Sequence, residues 1–194
     1  MEPELRAELP ILAFASAPAF ETWVAEHGAE AGLWLKIAKK ASGIATVSYA
    51  EAVEVALCYG WIDGQKQSYD EQYFLQKFTP RRPRSIWSQV NVAKVAALTA
   101  AGKMKPPGLA AVEAAKADGR WNQAYASPST MAIPRDFAAA LEANPIAKDF
   151  YATLNKTNTY AILWRITTAK KPETRKVRIN KLIAQLNERK AIHS

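Results

Sequence analysis

Only one cysteine, Cys58, and two histidines, His27 and His193, occur in the 194 residues. A lone thiol cannot close an internal disulfide, which fits a reducing compartment. A zinc centre is not expected, because a tetrahedral site needs four clustered ligands and these three residues are scattered. A Cys–His nucleophile pair would require Cys58 to meet His27 across the fold; Cys58 reads instead as a small apolar packing residue near a helix end. The eight glycines, at 28, 32, 43, 60, 64, 102, 108 and 119, compose neither GxGxxG nor GxxxxGK[ST], so no phosphate loop is visible. There is no GxSxG elbow. The sequence names no catalytic residue, and no cofactor or metal is expected. No apolar run approaches the roughly 20 residues of a membrane helix. The short apolar stretch from Pro10 to Phe20 follows Glu2, Glu4 and Glu8, not the positive start of a signal peptide. No membrane insertion and a cytoplasmic location are the expectation.

What is present suits a folded domain. Hydrophobic residues make up 49% and charged residues 23%, enough apolar mass for a core with an ordinary charged share. The net charge of +8 is unevenly placed. Residues 1–155 carry 16 Lys and Arg against 16 Asp and Glu, whereas residues 156–194 carry 10 against 2. The whole surplus therefore lies in the last fifth of the chain. It reads either as a solvated helix face or as a basic patch for an anionic partner, nucleic acid included. The patch candidates are Lys171, Arg175, Arg178 and Lys181, on the face of a last helix opposite Ile179, Leu182, Ile183 and Leu186.

Periodicity predicts an α+β fold: a small antiparallel sheet with helices in the N-terminal part, followed by an all-helical C-terminal part. Three stretches organise it: residues 1–84 with a β-hairpin, 85–143 helical, and 144–194 basic and helical, together one compact unit. Ile11 to Phe14 reads as a short strand, and Ser16 caps a helix running to His27. Leu33 to Lys39 alternates as a strand. Ser48-Tyr49-Ala50-Glu51 is a capping box opening a helix that Gly60 ends. Trp61 to Ser68 and Tyr73 to Thr79 read as a hairpin around Tyr69–Gln72. Ser88 opens a helix with Val92, Val95 and Ala96 inward, a second helix runs to Asp118, and residues 122–134 read as a loop before a short helix. Asn144-Pro145 opens another helix. A helix near Thr159 to Ala169 carries Tyr160, Leu163 and Trp164, and Pro172 opens the last.

Residues 58–88 hold the densest mixture of aromatics and arginines. Strand alternation puts Tyr73, Leu75, Lys77 and Thr79 on one face and Phe74, Gln76 and Phe78 on the other. Asp63 lies where it could bond Arg81 or Arg82. Pro80 and Pro83 stiffen the backbone around these arginines, whose planar forks suit carboxylates and phosphates, and stacking on Trp87, Phe78 or Trp61 adds a cation–π attraction. The ligand-binding candidates are Trp61, Asp63, Gln76, Phe78, Thr79, Arg81, Arg82 and Trp87. Two readings stand: a binding surface for a small anionic ligand or a protein, or a connection tying sheet to helices through an Asp63–arginine salt bridge.

Cys58-Tyr-Gly-Trp-Ile-Asp63, Phe78-Thr-Pro-Arg-Arg82 and Trp87-Ser88 resemble the signature of the YdeI/OmpD-associated, or bacteriocin-protection, family. The similarity continues in Glu51-Ala-Val53, Gly102-Lys-Met-Lys-Pro106, Ala115-Lys-Ala-Asp-Gly-Arg-Trp121 and Ala169-Lys-Lys-Pro-Glu-Thr-Arg175. The resemblance implies a bacterial protein with an α+β N-terminal part and a helical C-terminal part, linked by title to bacteriocin protection and a porin; it transfers no catalytic residue. A direct porin contact would need export, for which no signal is read. The expected function is non-enzymatic binding or stress protection through the aromatic–arginine segment. The alternatives are nucleic-acid binding by the basic C-terminal helices and an enzyme site near Asp63.

Overall fold

The computed structural model describes residues 4–28, 30–127 and 130–193. Backbone contacts divide the chain into two compact units, Met1–Trp87 with Asn91–Ala124, and Ser88–Val90 with Tyr125–Ser194.

The first unit is built on a five-stranded sheet in the order β1-β2-β3-β5-β4, formed by β1 (Leu5–Arg6), β2 (Leu9–Leu12), β3 (Leu33–Ala38), β4 (Trp61–Ser68) and β5 (Tyr73–Pro80). Helix α1 (Ala17–Glu26) joins β2 to β3 and returns the chain to its starting edge, so these two strands pair parallel while the other neighbours pair antiparallel. The α+β architecture is as expected from the sequence; the parallel pair and the short hairpin partner β1 are additions to it. Asp70 accepts from the backbone N–H groups of Gln72 at 2.8 Å and Tyr73 at 2.7 Å, which shapes the β4–β5 turn.

One face of the sheet carries Leu33, Leu35, Ile37, Phe74 and Phe78 into the main core, against Phe20 and Val24 of α1 and Ala52, Val53, Ala56 and Leu57 of α2 (Tyr49–Cys58). The capping box of α2 is complete, with Ser48 accepting from the Glu51 N–H and Glu51 accepting from the Ser48 N–H. Two further helices, α3 (Gln89–Ala100) and α4 (Pro106–Ala117), add Val95, Leu98, Val112 and Ala115. On α3 the inward pair is Val95 and Leu98, whereas Ala96, expected inward, is exposed; a spacing of three from Val95 stays on the buried stripe, while its immediate neighbour turns about 100° away. The start of α4 lies directly on the end of α2. A Cβ built at Gly108 would collide with the Cys58 carbonyl, and one at Gly60 would stand 2.8 Å from the Pro107 carbonyl oxygen. Gly60 also has φ of 75°, which ends α2 in a left-handed residue.

The second unit contains α5 (Arg135–Glu142), α6 (Pro145–Thr153), α7 (Lys156–Thr167) and α8 (Pro172–Asn187) around Phe137, Leu141, Ile162, Leu163 and Ile166, with the anticipated α8 stripe of Ile179, Leu182, Ile183 and Leu186. On α7, Leu163 is buried beside Ile162 and Ile166, while Tyr160 and Trp164 are half-buried. The buried amide of Asn158 donates to the His193 carbonyl at 3.2 Å and accepts from the N–H groups of Ile192 at 3.0 Å and His193 at 2.8 Å. Helix α8 closes with the Arg189 N–H on the Leu186 carbonyl and the Lys190 N–H on the Gln185 carbonyl, a Schellman pattern with Arg189 at φ of 53°.

Candidate functional site

The three aromatic ligand-binding candidates of the 58–88 segment are core. Trp61, Phe78 and Trp87 are at most 1% exposed. Trp61 meets Trp23 edge-on at 6.1 Å, Phe78 packs on Phe20 at 5.8 Å, and Trp87 meets Trp121 at 4.9 Å. Gln76 is also buried; its amide donates to the carbonyls of Gly64 at 2.9 Å and Gln65 at 3.2 Å, where the β4–β5 register shifts between Asp63 and Lys66. It thereby satisfies carbonyls that the bulge takes out of the ladder.

Asp63 does not pair with an arginine. It accepts the Tyr49 hydroxyl at 2.7 Å. The register explains this: Asp63 stands opposite Phe78, while Trp61 stands opposite Pro80, so Arg81 lies beyond the end of the ladder, past Asp63's reach along the strand. Arg81 instead lays its guanidinium over the Trp87 ring at 3.4 Å and donates Nη1 to the Ile86 carbonyl at 3.3 Å. A desolvated cation–π contact of this kind contributes about 2 kcal/mol. Arg120, which the sequence reading did not single out, completes the knot: it is buried, donates Nε to Asp118 at 2.6 Å and donates Nη1 to the Ser85 carbonyl at 2.7 Å. Its signal was the Asp118-Gly119-Arg120-Trp121 run, noted in the resemblance but given no role. Arginine–tryptophan stacking and two carbonyl clamps thus hold residues 81–87 in place.

What remains accessible converges at one end of the sheet. A hollow of about 640 Å³ is walled by Ala7 and Glu8 of the β1–β2 turn, Leu9 at the start of β2, Glu30 and Ala31 before β3, and Lys77 through Pro83 apart from Phe78 at the end of β5 and just after it. Thr79, Arg81 and Arg82 of the candidate set line it; Arg82 is exposed, and its backbone N–H donates to Ser85 Oγ at 3.0 Å. Among the described residues no ion pair engages Glu8, Lys77 or Arg82. Glu8 sits in the two-residue β1–β2 turn, where Ala7 and Glu8 have φ of 49° and 65°. A turn with both central residues left-handed is usually built from Asn and Gly, and other residues there cost about 1–2 kcal/mol each. Such strain gathers at binding sites.

Beside the hollow, the second sheet face stacks cations on aromatic rings. Lys36 Nζ lies 4.4 Å from the Tyr69 ring centroid and 4.3 Å from that of Tyr73; Lys77 lies 5.8 Å, and the Arg6 guanidinium 5.9 Å, from the Trp34 centroid. The alternation Trp34–Lys36 and Tyr73–Lys77 was visible in the strands, but the pairing that brings them together was not.

Elsewhere in the first unit, a hollow of about 420 Å³ includes Glu21, Glu54, Cys58 and Lys105 in its walls. Burial, followed by the Glu21 charge, pushes the Cys58 thiol up from its ordinary pKa, which keeps it protonated and suits a packing role.

The basic candidates of the second unit have distinct fates. Arg175 is a clamp: Nε and Nη2 grip Asp136 at 2.6 and 2.8 Å, and Nη1 donates to the Ile166 carbonyl at 2.9 Å. Hydrogen bonding to this guanidinium lowers the Asp136 pKa. Lys171 is the exposed N-cap residue of α8. Arg178 and Lys181 line a hollow with Trp164, Arg165, Leu182 and Gln185. Among the described residues, no group of three or more His, Cys, Asp or Glu could hold a metal ion, and no helix is long and apolar enough to cross a membrane.

Residues 12–111, just over half the chain, match the family model described as a domain of unknown function, DUF8412. The chain belongs to this family. Residues 130–189 match the model described as Bacteriocin-protection, YdeI or OmpD-Associated, which bears out the resemblance seen in the sequence. The two matches divide the motifs behind that resemblance. Glu51–Val53, Cys58–Asp63, Phe78–Arg82, Trp87-Ser88 and Gly102–Pro106 fall in the DUF8412 span, Ala169–Arg175 falls in the YdeI or OmpD-associated span, and Ala115–Trp121 lies between. No curated protein matches the chain, and no solved structure does. The DUF8412 span carries the Lys77–Pro83 wall of the larger hollow, while Glu8 and Leu9 precede it.

Proposed function

We propose that this DUF8412 protein is a non-catalytic binding protein, and that its ligand seat is the hollow at the end of β5. The observation that carries the reading is the separation of opposite charges across that hollow. Glu8 stands on the β1–β2 side and Lys77 and Arg82 on the β5 side, with no ion pair closing the gap. Strand β3 lies between them, so the two sides are about 10 Å apart, two strand spacings. A small dipolar ligand, with a carboxylate or phosphate at one end and an amine at the other, matches both the span and the charges. Its anionic end meets Lys77 and Arg82, and its cationic end meets Glu8. The volume falls within the ~300–1,000 Å³ range of small-molecule sites. The description of the C-terminal match supports a protective role for such binding, and the lone cysteine supports a cytoplasmic setting.

The test is calorimetric titration of the full chain with α-amino acids and dipeptides, and with acetate and propylamine as single-charge controls. Saturable binding of a dipolar member, weakened about fivefold or more by Arg82→Ala and by Glu8→Gln, is expected. Equal binding of the single-charge controls, or no response to either substitution, would overturn the assignment.

A further inference from the structure

The hollow on the α7–α8 pair has a different chemistry. Its walls are Trp164 and Arg165 of α7 and Arg178, Lys181, Leu182 and Gln185 of α8, around about 380 Å³. The α8 members follow the spacing of a single helix face, so three cations gather beside one indole and one leucine. Among the described residues, none of Arg165, Arg178 and Lys181 lies in an ion pair with a carboxylate, whereas Arg175, one turn earlier on α8, is fully engaged by Asp136. Arg178 is partly committed: Nη1 donates to the Arg165 carbonyl at 2.6 Å and to Thr168 Oγ1 at 3.4 Å. That commitment answers the Arg165 carbonyl and the Thr168 hydroxyl and fixes the guanidinium, but it occupies Nη1 alone, two of the five N–H donors. Trp164 is held edge-on by Tyr125 at 6.4 Å, and Gln185 is held through its donation to the Ala191 carbonyl at 3.0 Å. A pre-set apolar wall under three uncompensated cations lacks a negative charge of its own. An anion placed there would relieve the mutual repulsion, and the indole and leucine would cover its apolar body.

We propose that this hollow binds a small organic anion with a flat apolar body, an aryl carboxylate being the simplest form. A nucleic-acid strand fits less well. Single-stranded binding relies on successive aromatic platforms along a basic groove, whereas a single indole shares this hollow with the three cations. The proposal concerns residues and chemistry separate from the dipolar seat on β5.

Full-length protein would be titrated calorimetrically with 2-naphthoate, with its neutral analogue 2-naphthamide, and with a ten-residue oligothymidylate. The expected result is saturable one-to-one binding of 2-naphthoate, at least about tenfold tighter than 2-naphthamide. Exposed Arg165 and Lys181 are replaceable without touching the core, so the Arg165→Ala, Lys181→Ala variant should keep its circular dichroism spectrum and bind about tenfold more weakly. Trp164→Phe, which keeps an aromatic ring, should cost about threefold, and Arg82→Ala should leave naphthoate binding unchanged. The proposal is overturned if 2-naphthoate gives no binding at about 10 mM, if the amide binds equally well, or if the double variant binds as the parent does. It is also overturned if the oligonucleotide binds more tightly than naphthoate and responds to the same two substitutions, which would make the face a nucleic-acid surface.

Discussion

Replacing Glu8 with glycine separates what the β1–β2 turn does for folding from what it does for binding. Glu8 has φ of 65°, a conformation costing about 1–2 kcal/mol in a non-glycine residue. Glycine removes that cost but gives back about 0.5–1 kcal/mol through the larger freedom of the unfolded chain. The net gain is about 0.5–1 kcal/mol, and it accrues locally, because β1 is a two-residue edge strand that can open without the rest of the unit. Global melting is therefore a blunt readout. The sharper one is hydrogen exchange at the Ile11 amide, which donates to the Glu4 carbonyl at 2.7 Å and reports closure of the hairpin. Glu8→Gly should slow that exchange about two- to fivefold. The same variant should lose affinity for the dipolar ligand, because the carboxylate that receives its amine is gone. Ala7→Gly provides the control: φ of 49° at Ala7 is relieved in the same way, and Glu8 stays. It should slow exchange and keep binding. Faster or unchanged exchange at Ile11 in both variants would refute the claim of strain. Undiminished binding by Glu8→Gly would refute the role given to the carboxylate.

Acid should loosen the second unit through Asp136. Hydrogen bonding to Arg175 lowers its folded-state pKa, so the pair's contribution is fully present above the ordinary aspartate value near ~3.9 and is lost as pH falls through the depressed folded value; Asp136 is largely exposed, which limits the effect to about 0.5–1 kcal/mol, and Asp136→Asn should flatten the acid limb of a denaturation series in that range. Gly108→Ala should destabilise the first unit by about 1–3 kcal/mol, since the added methyl meets the backbone of Cys58, not a side chain that could move aside; a chemical denaturation midpoint equal to the parent's would contradict the close approach. Arg189→Gly should raise stability by about 0.5–1 kcal/mol by placing glycine at the left-handed Schellman position, which a denaturant midpoint would detect, and a lower midpoint would show that the arginine side chain matters more than its backbone angle.

Local chemistry was readable along most of the chain. The Ser48 capping box, the hairpin around Tyr69–Gln72, and the α8 stripe from Ile179 to Leu186 each depend on neighbours within a turn or two, so spacing alone reveals them. The strand faces of β5 were also legible: Leu75 joins Leu9 and Trp34 on one side, and Phe74 and Phe78 enter the main core on the other. What escaped depends on pairing at long range. The parallel alignment of β2 with β3 follows from the return path through α1, and β1 is too short to show periodicity. The Asp63 partner was misread because Asp63 was set across the hairpin end from Arg81 or Arg82, whereas the register stands it opposite Phe78 and it accepts from Tyr49. The candidate segment mixed two populations that composition could not separate. Trp61, Phe78 and Trp87 are buried, and Thr79, Arg81 and Arg82 face a hollow whose opposite wall, Glu8, is about seventy residues away in sequence. The lysine–tyrosine stack of Lys36, Tyr69 and Tyr73 was hidden for the same reason: three residues on two strands and a turn become neighbours only once the sheet is assembled.

The buried amide of Asn158 has a consequence for how this chain ages in the presence of proteases. Its bonds to Ile192 and His193 hold the segment after α8 in place, with Ile192 packed on the core of the second unit. Any cleavage or local opening that releases Ile192 and His193 leaves Asn158 with an unsatisfied amide in an apolar setting, so detachment of that segment becomes a step down in stability for the helices packed around it.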